Sequence, residues 1–345
     1  MRKNLSLAFI FLLISFLLAE IGFRVAGKAP FRMFNYSFNT TPLNCYIPDV
    51  YCGSKLGQGA FKVVINQGLI YTTTHVKTGN VVTRKIYDGA PDSSLPRIDF
   101  HGCSFTYGMG VSDTNVYPYL FARNRPDLVV RNYGCPGYST LEALLILKQQ
   151  KSENDLPKIV IVNYLDFHDE RSAGSSQWRE GQQVAFLKGT ASHVSKEILE
   201  TLDSCSFPFA QVVNNALEIR WYNIHRLYHQ FWGRDKSALI YGLEKAVNKQ
   251  KYDRQPEFEI TKAILLEIQK LCNENKIELG VTTMSSSDKT HELINFLSVH
   301  HIKTIDLAID FADPRYTNKP YDGHPSPLAH HLFADKLVSA KIGSQ

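Results

Sequence analysis

Hydrophobic and polar positions fall into three successive patterns along this chain, and each predicts a different kind of element. Residues 5–19, LSLAFIFLLISFLLA, run fifteen positions without a charge and are apolar on every face, unlike a surface helix with one apolar stripe. GAFKVVINQGLIYTTTHV and NVVTRKIYDG (59–76 and 80–89) are rich in β-branched and aromatic residues with glycine at the turns. They predict a small antiparallel β element ahead of the main domain. From residue 96 the rhythm becomes strand, helix, strand, helix. RIDFHG, DLVVRNYG, KIVIVNYL, IELGVTTM and IKTIDL read as strands, and NVYPYLFARNRP as a helix ending before Pro126. STLEALLILKQQKSE places Leu141, Leu144, Leu145 and Leu147 at helical spacing behind a Ser139 or Thr140 cap. EITKAILLEIQKLCNENK does the same with Ile260, Ile264, Ile268 and Leu271. This alternation predicts a doubly wound parallel sheet.

Residues 171–256 break the rhythm. FPFAQVVNNALEIRWYNIHRLYHQFWG carries Trp221, Tyr222, Tyr228, Phe231 and Trp232 and reads as a long helical run, either a cap packed on the sheet or a lid over a site. The organisation expected is a membrane anchor over 1–25 and a spacer with a small β-rich segment over 26–95. An α/β domain follows over 96–345, with a helical insertion at about 171–256.

Charge and cysteine usage alter this picture in two places. The net charge of +5 is mild and scattered over 345 residues, which gives a nucleic-acid partner no footprint. At the amino end, Arg2 and Lys3 precede the apolar run, which reaches nineteen residues if counted through Phe23 with Glu20 at headgroup level. No small-x-small cleavage site follows, so an uncleaved anchor is preferred over a cleaved signal. Arg2 and Lys3 put the short amino end in the cytoplasm and the rest of the chain on the exported side, periplasmic or extracellular. In that compartment Cys45 and Cys52, which bracket YIPDVY, become candidates for a disulfide. Cys205 and Cys272 read as packed thiols. The absence of any CxxC gives no signal for thioredoxin-like chemistry or structural zinc.

Ligands of an open parallel sheet bind beyond the carboxyl ends of its strands. Those ends here are HGCS (101–104), NYGCPGYS (132–139) and NYLDFHDER (163–171), with YDGHPSP carrying Asp322 and His324 before the last helix. Serine needs a base to take its proton, and the base needs a carboxylate to orient it. Glycines let backbone N–H groups reach a developing oxyanion.

With those residues in view, the chain resembles the SGNH (GDSL) hydrolase family. Gly102, Cys103, Ser104, Phe105, Thr106, Tyr107 and Gly108 match the family's Gly-Asp-Ser-x-Thr-x-Gly block; Asn132, Gly134 and Gly137 match its Asn-x-Gly-x-x-Gly; Asp322, His324 and Pro325 match its Asp before His-Pro. The resemblance spans about 96–170 and 257–345. It implies a flavodoxin-like three-layer α/β/α fold with no metal or cofactor. Ser104 would be the nucleophile, His324 the base and Asp322 its orienter, with the N–H groups of Ser104 and Gly137 in the oxyanion hole. Four departures stand out. Cys103 replaces the structural Asp, beside Cys135, and a bond between the two is an open alternative. Asp322 precedes His324 by two residues rather than the usual three. Ala329 stands where glycine is frequent. In the third block Phe167 falls where the family has its oxyanion Asn, and His168 or Arg171 would have to replace it.

Tyr107, Phe167, Arg171 and Met109 are expected to line the substrate pocket. His101 is expected to pack internally. The pairs His300–His301 and His330–His331 diverge and do not form a zinc pair. Function is expected to be a membrane-anchored exported serine esterase, acting on acyl esters (O-acetyl) of a small molecule or envelope glycan. The alternatives are an O-acyltransferase on the same serine, a non-catalytic SGNH-like binding or assembly protein, and thiol redox chemistry at Cys103 and Cys135.

Overall fold

The computed structural model describes residues 2–33, 36–189 and 192–343. Helix α1 (Arg2–Val25) is followed by β1 (Phe38–Thr41), β2 (Tyr46–Asp49), β3 (Gly53–Leu56), β4 (Gly59–Ile65), β5 (Leu69–Thr78) and β6 (Val81–Arg84). Next come β7 (Arg97–His101), α2 (Ser104–Tyr107), α3 (Tyr117–Asn124), β8 (Val129–Asn132), α4 (Thr140–Ser152), β9 (Ile159–Tyr164) and α5 (His168–Ala173). The insertion holds α6 (Ser176–Val184), α7 (Lys196–Leu199), β10 (Ser206–Val213), β11 (Ala216–Asn223) and α8 (Ala238–Tyr252). The chain ends with α9 (Glu257–Glu274), β12 (Glu278–Thr283), α10 (Asp288–Val299), β13 (Lys303–Asp306) and α11 (Pro327–Ser339).

The central sheet runs β1-β4-β5-β6-β8-β7-β9-β12-β13, and the five strands from β8 to β13 are parallel. Strand β9 shows why its sequence is apolar throughout. Ile159 and Ile161 face the side covered by α3 and α11, with Phe121 and Phe333; Val160 and Val162 face the side covered by α4 and α9, with Leu144 and Ile264. The chain leaves β7 for β8 on one side and crosses to β9 on the other, so Ser104 follows the strand at the switch point. The predicted α/β/α layering is present. Ser139 is the cap of α4: its Oγ accepts the Leu141 N–H at 3.2 Å, and Glu142 reaches back to the Ser139 N–H at 2.7 Å.

Three expectations need correcting. The N-terminal β element is not a separate unit ahead of the domain. Strand β6 pairs antiparallel with β8 at Arg84 and Asn132, so β1, β4, β5 and β6 extend the central sheet itself. Secondly, the run around residue 215 is not helical. FPFAQVV and ALEIRWYN pair as the β10–β11 hairpin, because Asn214 and Asn215 both take positive φ (50° and 61°) as a tight two-residue turn requires. The insertion is therefore mixed. Thirdly, Cys45 and Cys52 are free buried thiols, as are Cys103 and Cys135. Helix α1 includes a 21-residue span, Leu5–Val25, that is long and apolar enough to cross a membrane, with mean hydropathy 2.4.

A buried polar chain joins β5 to α2, the turn that follows β7. With its Nδ1–H donating to the Gly57 carbonyl at 2.8 Å, His75 accepts at Nε2 from the Tyr107 hydroxyl at 2.9 Å, which also lies 3.0 Å from Thr73 Oγ1. Burial, opposed by the Gly57 carbonyl and reinforced by the Arg84 charge, pushes the His75 imidazole down to about 4. A depressed native value means that the unfolded chain takes up the proton first. The resulting stabilisation is present above pH 6.5 and is lost as pH falls toward 4. Denaturant titrations of wild type and His75→Gln are therefore expected to converge on acidification, by up to about 1.4 kcal/mol per pH unit in that window. A stability difference that does not change with pH would contradict the buried neutral imidazole.

Candidate active site

The loops that follow β7, β8 and β9 meet at one end of three adjacent strands, and the loop before α11 closes over them. Strand β7 stops at His101 because Gly102 allows the next turn to fold back: a Cβ there would come within 2.3 Å of Thr106 Oγ1 and 2.9 Å of Asn163 Cβ. Ser104 opens the four-residue helix α2, and its side chain is nearly buried. Its Oγ lies 2.8 Å from His324 Nε2, although 220 residues separate them. His324 Nδ1 is 2.9 and 2.8 Å from the two oxygens of Asp322. With Nδ1–H donating to the carboxylate, Nε2 is the acceptor for the Ser104 proton. The two-residue spacing from Asp322 to His324 therefore still closes the pair. Asn318 holds this loop in place: its N–H donates to the His324 carbonyl and its Nδ2 to the Pro325 carbonyl, both at 2.9 Å.

In the loop after β8, Gly137 has φ 91° with nothing within 4 Å of where a Cβ would stand. Among the described residues, no hydrogen bond is made by the N–H of Gly137 or of Ser104. Both donors are free for an anion. Asn132, from the same block, plays a structural part instead. Its Nδ2 donates to the Thr106 carbonyl and its Oδ1 accepts the Gly134 N–H, both at 2.9 Å.

The third block does not behave as anticipated. His168 is fully buried at the start of α5, and neither ring nitrogen has a hydrogen-bond partner. Burial, and then the nearby Arg171 charge, hold it well below the ordinary histidine range. A neutral imidazole keeps one N–H, but this ring is fully buried and no contact among the described residues turns it toward Ser104, so the expected oxyanion role of His168 gains no support. Phe167 lies beside Phe105, with ring centroids 6.0 Å apart, and Phe105 in turn packs 5.5 Å from the His324 ring. The Arg171 guanidinium is held between the rings of Phe167 and Trp178, at 4.2 and 4.6 Å, and donates to the Tyr138 carbonyl at 3.1 Å. It interacts with the Cys103 thiol, one residue from the nucleophile. Asn163 remains inside β9, donating to Thr282 Oγ1 at 3.1 Å.

Tyr107 and Met109, expected to line the pocket, are both buried in the core, and the Tyr107 hydroxyl is committed to β5 as described above. His101 stacks on Tyr133, with centroids 5.1 Å apart, and burial pushes it down to about 3. Burial also raises the thiols of Cys103 and Cys135, which opposes thiolate chemistry at either.

One residue that sequence reasoning missed organises the site from behind. Arg84, at the end of β6, is fully buried. It donates to the carbonyls of Tyr107 (2.7 Å), Gly108 (2.6 Å) and Val111 (2.6 Å) and pairs with Asp113 at 2.9 Å. No pattern in the sequence marks it, since Lys62, Lys77 and Lys85 stand in the same β-rich stretch.

No protein-family model and no curated protein matches the chain. Solved structures with a similar fold include a member of the lipolytic G-D-S-L family from Veillonella parvula, 11% identical, with 70% of this chain and 96% of that one covered at a TM-score of 0.39. An acetyl xylan esterase from Geobacillus stearothermophilus is 13% identical, with 71% and 94% covered at a TM-score of 0.36. At these scores no chemistry is transferred from either protein.

Removing the buried guanidinium orphans the carbonyls it serves and leaves Asp113 unpaired. Arg84→Met is expected to lose about 3–5 kcal/mol of unfolding free energy. Arg84→Lys should recover only part of it, because an ammonium cannot span the same acceptors. Chemical denaturation checks both, and an Arg84→Met protein as stable as wild type would contradict the clamp.

Proposed function

We propose that the chain is an SGNH-type serine esterase that hydrolyses acyl esters, O-acetyl esters above all, on an exported or envelope glycan. Helix α1 would tether its body to the membrane on the exported side. The observation that carries the chemistry is the continuous hydrogen-bonded line from Asp322 through His324 to Ser104 Oγ, with 2.8 Å at the reacting end. Ser104 Oγ attacks the acyl carbon as its proton passes to His324 Nε2. Asp322 stabilises the imidazolium that forms. The carbonyl oxygen becomes an oxyanion that the N–H groups of Ser104 and Gly137 receive. His324 then protonates the departing sugar oxygen and leaves an acyl-serine. Water, deprotonated by the same nitrogen, releases the acid and restores Ser104.

Phe167 supplies no hydrogen bond where the family has an Asn, so the oxyanion rests on two backbone donors. Losing one donor costs about 10²–10³ in rate, which fits a slow hydrolase. Transfer of the acyl group to a hydroxyl is the second reading. It is favoured by a cavity of 730 Å³ lined by Phe31, Tyr36, Glu170, Ser175, Glu180 and Tyr241, large enough for an acceptor sugar.

Acetate release from acetylated glycans and from a small chromogenic ester measures the reaction. Ser104→Ala and His324→Ala are each expected to lower kcat by about 10⁴-fold or more, and Asp322→Asn by about 10⁴-fold, with unchanged circular dichroism. Full activity in Ser104→Ala would sink the serine mechanism.

A further inference from the structure

Helix α1 does not leave the body as a loose tether. Glu20 Oε2 accepts from Ser237 Oγ at 2.7 Å and from the Leu239 N–H at 2.9 Å, while its Oε1 accepts from the Ala238 N–H at 3.0 Å. These are first-turn N–H groups of α8, which a helix cannot satisfy within itself. One turn further along α1, Arg24 donates to Glu20 at 2.6 Å and to the Lys236 carbonyl at 3.0 Å. Phe23 lies against Gly242, where any Cβ would come 2.5 Å from its ring. Past the helix, the Phe31 N–H donates to the Arg234 carbonyl at 2.9 Å.

This sequence of contacts fixes a direction. Glu20 meets residues 237–239 and Phe23 meets residue 242, so α8 leads away from the apolar end of α1. The turn that precedes α8, residues 231–237, lies against the carboxyl end of α1, with the Lys236 carbonyl at Arg24 and the Arg234 carbonyl at the Phe31 N–H just past the helix. On that turn Trp232 is 94% exposed, the most exposed of the large hydrophobic side chains. Lys236 on the same turn and Lys28 just past α1 are exposed, and Arg24 is half-exposed. A bare indole on a turn packed against the end of a span apolar enough to cross a membrane, with cations on both segments, has the composition of a headgroup contact.

We propose that the 231–237 turn is a second attachment of this protein to the bilayer. Glu20 clamps α8 to α1, the clamp lays the turn on the membrane surface, and Trp232 inserts its indole among the headgroups. The body is thereby held in one orientation rather than swinging on a linker. The inference rests on the membrane-anchor part of the proposed function and is independent of the ester chemistry.

The test uses the full-length protein reconstituted into phosphatidylcholine–phosphatidylglycerol vesicles whose acyl chains carry bromine close to the headgroup. The Trp232 signal is the fluorescence of wild type minus that of Trp232→Phe. Its expected quenching by the brominated lipid is about half or more, as for an interfacial indole. Glu20→Gln, which loses the charge on the clamp, is expected to reduce that quenching while the protein stays resistant to alkaline extraction. Extraction of wild type by alkaline carbonate would overturn the anchor reading, and this proposal with it. Resistance to extraction with an unquenched Trp232 would overturn this proposal alone. Equal quenching in wild type and Glu20→Gln would overturn the clamp.

Discussion

The site depends on one buried cation. A four-residue helix such as α2 cannot hold itself, since it makes few internal hydrogen bonds and begins and ends at glycine-rich turns. Arg84 supplies the missing constraint by gathering the carbonyls of Tyr107, Gly108 and Val111 around a guanidinium from which water is excluded. Because Arg84 is the last residue of β6 and pairs across to Asn132 of β8, the clamp and the second glycine-rich loop belong to one rigid edge of the sheet. The strands ahead of β7 are thus part of the catalytic scaffold, and a boundary at residue 95 would cut through it.

From that constraint the chemistry follows by position. Strand β7 delivers Ser104, β8 delivers Gly137, and the loop before α11 brings the imidazole back over both. The imidazole faces the hydroxyl on one side and a carboxylate with 5% side-chain exposure on the other. The glycine at 137 leaves open space where a side chain would block an anion. On the remaining side the site is aromatic and cationic. Phe105 and Phe167 pack toward His324, and Arg171 is stacked between Phe167 and Trp178. Where the family resemblance led one to expect an amide donor, the chain has the Phe167 ring with the Arg171 guanidinium stacked on it.

Much of this was legible in the residues themselves. The apolar run of β9 and the stripe of α9 survive in the structure, because burial on two sheet faces and on one helix face leaves a strong periodic trace, whereas α4 is buried all round from Thr140 to Leu147. The hairpin of the insertion was misread because its aromatics suggested a helical stripe. The deciding signal was local: two asparagines able to take positive φ between alternating runs. His168 and Tyr107 were placed in the pocket by their position near strand ends, and the side-chain direction that buries them has no signature in a single sequence. Arg84 was invisible for a related reason, since its partners are backbone carbonyls, which carry no residue identity.

The central claim is that the Ser104 hydroxyl is made nucleophilic by His324. Peptide mapping by mass spectrometry after reaction with a fluorophosphonate tests it most directly, because the phosphonyl group stays on the atom that attacked. The account predicts an adduct on Ser104 in the wild-type protein and none in His324→Ala at the same exposure. An adduct on Cys103, or on Ser104 to the same extent without the imidazole, would contradict it.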